Sequence, residues 1–419
     1  MIVKSIHEVP APWALINSLA EDKKYYALLE SVEGPERKAR YSIITYGERA
    51  FTFRGNENPN NVLKRELRGA KYFENPSRFK GGLLGYYSYE AVKFWEKVKI
   101  NEPEWPYAEF FVAEDLMIYD HLNGKVYISD NFNSKVISQV SEFKAKFEGE
   151  SKGTSEMIKL IEEAKDLIRD GEIFQVVLSK YYLYSYDGDL IVPYLNLRKV
   201  NPSPYMYYIN FGNRTIIGSS PETLFRVDGE IVETFPIAGT RPRGKSEEED
   251  LELERDLLES EKERAEHIML VDLARNDLGK VCKYGSVKVP EFMYIEKYSH
   301  VQHIVSRVIG VLDRNMDSFN VVESLFPAGT VSGAPKPRAM DIITEKEGLS
   351  RGPYAGAVGY YSVDGNSEMA ITIRSLFATN GVLKIQAGAG IVYDSEPIME
   401  VKEIEHKLKA LKKSIGVEE

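Results

Sequence analysis

Helix-like and strand-like stretches follow one another in this chain without the regular alternation that a parallel sheet with crossover helices requires. Strand patterns crowd the first 125 residues, at 25–30, 39–46 and 116–120, the last facing 125–128 across Asn123-Gly124, whose positive φ suits a hairpin turn. A helix follows, with Met157, Leu160, Ile161, Ala164, Leu167 and Ile168 at three- and four-residue steps and Gly171 placed as a C-terminal cap. Beyond it the two patterns mix irregularly. Strands are predicted at 173–186, 205–211, 215–217, 231–234, 355–363, 369–377 and 382–387, and helices at 247–275, 337–346 and 398–413. The reading is an α+β fold of large antiparallel sheets packed as a β-sandwich with helices outside. The main boundary is placed in a polar linker at 131–153, between a region 1–130 and a region 154–415.

Two carboxylate pairs carry the most informative chemistry. Glu263 and Glu266 lie in one predicted helix and Glu400 and Glu403 in another. A three-residue step puts both members of a pair on one helix face, their Cβ atoms about 5–6 Å apart. Such charges repel, and a cation between them turns the repulsion into binding; oxygen ligands of this kind suit Mg²⁺. His267 and His406 follow the pairs, and the apolar run Ile268-Met269-Leu270-Val271 predicts a largely buried first helix, where charges need partners.

Glycine-bounded turns at 218–222, 236–244, 327–336 and 387–391 let backbone N–H groups approach an oxyanion, and Arg241, Arg243, Lys336 and Arg374 stand near them. A small polyanionic substrate, a carboxylate or a phosphate, fits that combination. The Walker A and dinucleotide fingerprints are absent, as is a Gly-x-Ser-x-Gly elbow. The net charge of −10 over 419 residues argues against nucleic acid or an anionic membrane as partner. Cys282 is the sole cysteine, which excludes an internal disulfide and reads as a small core residue. The first residues show no signal-peptide pattern, and no apolar run approaches the ~18 residues of a membrane span, so a cytoplasmic location is expected.

The segments Phe174-Gln175-Val176-Val177-Leu178-Ser179, 236–244, Ala265-Glu266-His267 with 270–279, and 388–391 together resemble the chorismate-utilising enzymes, and among them the large subunits of anthranilate synthase, from end to end. The resemblance implies residue roles. Glu266 and Glu403 would hold Mg²⁺ directly and Glu263 and Glu400 through water, the ion in turn holding the ring carboxylate. Tyr354, Arg374 and the backbone of Gly388, Ala389 and Gly390 would take the enolpyruvyl carboxylate, Gly239 and Thr240 would touch the substrate near the ring, and Lys407 would add positive charge. Glu222 would protonate the departing C4 hydroxyl, with His303 and Thr330 serving the later loss of pyruvate.

Two positions narrow the reaction. Isochorismate- and salicylate-forming relatives carry Lys where Gln175 stands, and aminodeoxychorismate-forming relatives often carry Lys where Ala238 stands. Gln and Ala leave attack by ammonia at C2, giving anthranilate. The chain has no glutaminase region, so a separate glutamine amidotransferase subunit is the implied partner, in a hetero-oligomer such as a heterotetramer. The resemblance also implies feedback inhibition by tryptophan, bound by Glu30, Ser31, Pro204, Tyr205 and Met206 with Arg40 nearby. The region 1–130 would contribute to that site and 154–415 would be catalytic. The alternatives are an aminodeoxychorismate synthase component and a non-catalytic tryptophan-binding regulator.

Overall fold

The computed structural model describes residues 1–32, 40–133, 142–298 and 301–417. Residue 39, at the start of one expected strand, and residues 134–141 of the polar stretch lie outside that set. The described strands form two antiparallel sheets, one of twelve strands and one of ten, with the α-helices around them.

Both sheets join strands from before residue 130 to strands from after residue 174. In the larger, Tyr25–Glu30 pairs with Tyr205–Asn210, bringing Glu30 opposite Met206. In the smaller, Gly82–Tyr87 pairs with Ala357–Ser362. A single hydrophobic cluster runs from Leu15 to Ile415. The predicted hairpin forms as Asp115–Asp120 and Lys125–Ile128, with Gly124 at φ 62°. The stretch expected to be a plain polar linker contains a strand, Phe143–Glu150. It pairs along the outer half of Gln175–Gly188 and leaves most of its side chains in water, so no apolar stripe announced it.

Two further predictions need correction, and both place functional residues. The charged helix read as continuous over 247–275 is two helices, Glu247–Glu259 and Glu261–Gly279. Ser260 separates them in extended conformation, and its hydroxyl accepts from the backbone N–H of Glu263, capping the second helix. That helix is half-buried rather than enclosed: His267, Leu270 and Val271 face inward while Ile268 is 44% exposed. The strand read at 369–377 is likewise two, Ser367–Ile371 in the smaller sheet and Ser375–Thr379 in the larger. The corner between them puts Arg374 at φ 52°, a left-handed conformation that a non-glycine residue rarely adopts.

Candidate active site

The strand Gln175–Gly188 begins where Val382–Ile391 ends, with Val176 opposite Ile391 and Ser179 opposite Gly388. The glycines at 388 and 390 therefore sit inside a strand, not in a turn as the sequence suggested. Each is required by a close neighbour. A Cβ on Gly390 would stand 2.5 Å from Gln175 Nε2, and one on Gly388 would stand 2.9 Å from the Tyr354 hydroxyl. Bare backbone thus forms the floor between Gln175 and Tyr354.

Gln175 is 2% exposed. Its Nε2 donates to Glu266 Oε1 at 2.9 Å, while its Oε1 is buried without a hydrogen-bond partner among the described residues. A buried acceptor left open costs about 1–3 kcal/mol, so something with an N–H or O–H belongs there when the site works.

The four glutamates approach from two helices. Burial raises the Glu266 carboxyl above its ordinary pKa, and the negative charges of Glu263 and Glu403 add to the effect while Gln175 opposes it. Burial also raises Glu400, again with Glu403 adding to it and the side chain of Ser395 opposing it. Glu263 meets Arg241 Nη1 at 3.3 Å, and Glu403 meets Lys407 Nζ at 2.7 Å. Lys407 also donates to Gly388 O at 2.8 Å, which ties the second pair to the glycine floor. Among the described residues no three His, Cys, Asp or Glu side chains are gathered tightly enough to hold a metal ion as they stand. The donor set is nonetheless all oxygen and mutually repulsive, with basic side chains and an amide compensating it, which is the chemistry that suits a hard divalent cation. The two histidines take no part. His267 is buried with Nε2 on Ser306 Oγ at 2.6 Å, and His406 is exposed.

The other expected residues make contacts of their own. Glu222 Oε1 accepts from Thr330 Oγ1 at 2.8 Å, and both line a cavity of about 40 Å³ closed by Pro236, Leu270 and Leu273. His303 Nδ1 lies 3.0 Å from Gly239 O and 3.1 Å from Thr240 Oγ1. Gly239, at φ 66°, passes so close to Glu263 that a Cβ would stand 2.9 Å from its Oε2. Of the four basic residues expected to attract an anion, three serve internal pairs. Arg241 binds Asp256 and Glu263, Arg243 binds Asp250, and buried Lys336 binds Asp277 at 2.8 Å. Arg374 alone of the four has no side-chain hydrogen bond among the described residues. Burial lowers its pKa, against the pull of Glu403 and Tyr354. Burial pushes the Tyr354 hydroxyl well up, so it stays protonated and can donate.

A second, larger cavity of about 830 Å³ opens between the sheets. Glu30, Ser31, Arg40, Pro204, Tyr205 and Met206 all line it, facing Arg226, Gly359 and Glu368 from the smaller sheet. Glu30 Oε2 accepts from Tyr194 at 2.5 Å and Arg198 at 3.2 Å. Arg40 is held by a two-bond fork to Asp120, at 3.0 and 2.9 Å. The Tyr205 hydroxyl donates to Glu368 and lies 2.7 Å from Thr223 Oγ1, one residue from Glu222.

The family description "chorismate binding enzyme" matches residues 24–413. The chain belongs to the chorismate-binding enzymes. Anthranilate synthase component 1 of Saccharolobus solfataricus is 53% identical over 421 residues, covering 100% of both chains. The protein of the same name from Methanothermobacter marburgensis is 45% identical, over 97% of this chain and 93% of its own. Among solved structures, anthranilate synthase component I from Streptococcus pneumoniae superposes with a TM-score of 0.77 at 34% identity, covering 89% of this chain and 92% of that one.

In this chorismate-binding enzyme, sequence reasoning missed the groups that hold the site together. Arg351, 1% exposed, donates to Val177 O, Val331 O and both oxygens of Glu347, whose Oε1 in turn accepts from Ser179 N and Oγ. One guanidinium thereby joins the Gln175 strand to the Thr330 turn. An Arg-Glu pair four residues apart, as Glu347 and Arg351 are, was the available signal, but such pairs are common on exposed helices.

Proposed function

We propose that the chain is the ammonia-using large subunit of an anthranilate synthase, a lyase converting chorismate and ammonia to anthranilate and pyruvate in tryptophan biosynthesis. The observation that carries this reading is the Gln175 amide, with Nε2 on Glu266 and Oε1 open. An amide cannot take a proton from water at neutral pH, but its oxygen can accept an N–H from ammonia and hold the nitrogen lone pair toward the ring. The identity to proteins named anthranilate synthase component 1 supports the same choice.

In this reading Arg374, Tyr354 and the backbone of Gly388, Ala389 and Gly390 hold the enolpyruvyl carboxylate. Glu266 and Glu403 would hold Mg²⁺, with Glu263 and Glu400 behind them, and the ion would supply charge neutralisation for the ring carboxylate. Ammonia forms the C2–N bond as the C4–O bond breaks, and Glu222, oriented by Thr330, gives its proton so that water leaves. Loss of the C2 proton then breaks the C3–O bond and aromatises the ring, and the released enolate takes up a proton at its methylene carbon to become pyruvate. In this reading His303, which lies beside Thr240, serves this step. Ammonia comes from a glutamine amidotransferase subunit. Tryptophan, which fits within the 830 Å³ cavity and shares the mixed polarity of its lining, is in this reading the inhibitor bound there.

The purified chain, given chorismate, Mg²⁺ and an ammonium salt, is expected to generate anthranilate fluorescence. Accumulation of 4-amino-4-deoxychorismate, or no turnover at all, overturns the proposal.

A further inference from the structure

We infer that Glu90 is a positioning residue for the substrate pocket, its carboxylate holding the turn that presents the Tyr354 hydroxyl to the glycine floor. The inference rests on the proposed reading, in which Tyr354 binds the enolpyruvyl carboxylate, and it gives the region before residue 130 a part in that binding.

Glu90 lies in the short 3₁₀ helix Tyr89–Phe94, just beyond the strand Gly82–Tyr87, and is 2% exposed. Its Oε1 accepts from Arg351 N at 2.6 Å and its Oε2 from Gly352 N at 3.1 Å. Tyr89 N donates in return to Gly352 O at 2.8 Å. Buried Lys384, from the strand that carries the glycine floor, donates to Arg351 O at 2.9 Å. The peptide units entering the turn are thus gripped from two sides. On the far side of Tyr354, Ala355 N donates to Thr372 O at 2.9 Å, so the tyrosine is tethered before and after. Ala355 stands at φ 62°, a conformation that persists in a non-glycine residue only where its surroundings impose it.

Two adjacent N–H donors call for oxygens that carry no hydrogen, and an ionised carboxylate supplies two. A glutamine in the same place would set its NH₂ against one of the donors. Burial raises the Glu90 carboxyl, with the N–H groups of Arg351 and Gly352 and the charge of Lys384 opposing the rise. A buried charge is a poor source of stability by itself, so its use here points to placement. The Tyr354 hydroxyl needs that placement. It makes no side-chain hydrogen bond among the described residues, yet it stands so close to the floor that a Cβ on Gly388 would be 2.9 Å away. The Arg351 guanidinium, 5.6 Å from the Tyr354 ring, links the peptide that Glu90 holds to the side chain that meets the substrate.

The test reads chorismate binding by calorimetry on the full chain with Mg²⁺ and no ammonium, and KM and kcat from ammonium-driven turnover. In Glu90→Gln the chorismate Kd and KM should rise about fivefold or more. The kcat should stay within about twofold, because the carboxylate contact is the same before and during reaction. Tyr354→Phe should show a rise at least as large, and the double variant should match Tyr354→Phe alone, since Glu90 acts through that hydroxyl. Glu90→Asp, which keeps the charge and draws it back by one methylene, should raise KM in the same direction and replaces the glutamine variant if that chain does not fold. An unchanged KM beside a lowered Tm, a fall in kcat alone, or rises that multiply in the double variant overturn the positioning role. Chorismate bound by the unaltered chain but not converted to anthranilate overturns the functional reading instead, and the Kd values still judge Glu90.

Discussion

At the residue scale the site is defined as much by missing side chains as by present ones. Gly390 leaves the Gln175 amide room, and Gly390→Ala would drive a methyl to 2.5 Å from Nε2, inside any real contact distance. Gln175 would have to turn away from Glu266. Ammonium-driven kcat/KM should drop by roughly 10- to 100-fold, with little change in Tm because the surrounding strand pairing remains; steady-state kinetics and a thermal melt check both. On the cavity proposed for tryptophan, Ser31→Ala should relieve the proposed inhibition and leave uninhibited turnover intact, read from dose–response curves; an unchanged curve, or no inhibition of the unaltered chain, overturns that site. The glutamate pairs could be read from their spacing alone, since three residues on a helix always share a face. The hub at Arg351 could not. Its meaning lies in carbonyls at 177 and 331, and nothing local links those positions.

Elements show a similar split between what is local and what is not. The 116–128 hairpin could be read because Asn123-Gly124 writes its turn chemistry into two residues. The break at Ser260 was hidden, because the Glu- and Lys-rich pattern on either side continues the helical period across it. Only the cap reveals it. Ser260→Ala removes the hydroxyl that accepts from Glu263 N and should cost about 1 kcal/mol of stability, measurable by urea unfolding, and should loosen the turn that carries Glu263 and Glu266. The corner at 372–374 was hidden for another reason. The run on either side alternates like one strand, without Gly or Pro, and the change of sheet is imposed by partners far away in sequence.

For the whole molecule, the placement of the sheet seams matters more than any boundary along the chain. Strands from before residue 130 complete both sheets, and Glu109 of the smaller sheet binds Arg214 of the larger at 2.5 and 2.7 Å. Glu109 is 1% exposed, so Glu109→Ala leaves Arg214 without its carboxylate in a desolvated setting and should destabilise the fold by about 3 kcal/mol. Denaturant unfolding should show a single transition moved to lower concentration, and two separate transitions would mean that the halves fold independently. The same construction gives the corner at Arg374 a wider role. Ile371 belongs to one sheet and Ser375 to the other, so Arg374 stands at the joint between them. The large cavity is lined from those same two sheets, so the setting of this arginine and the shape of that cavity depend on one seam.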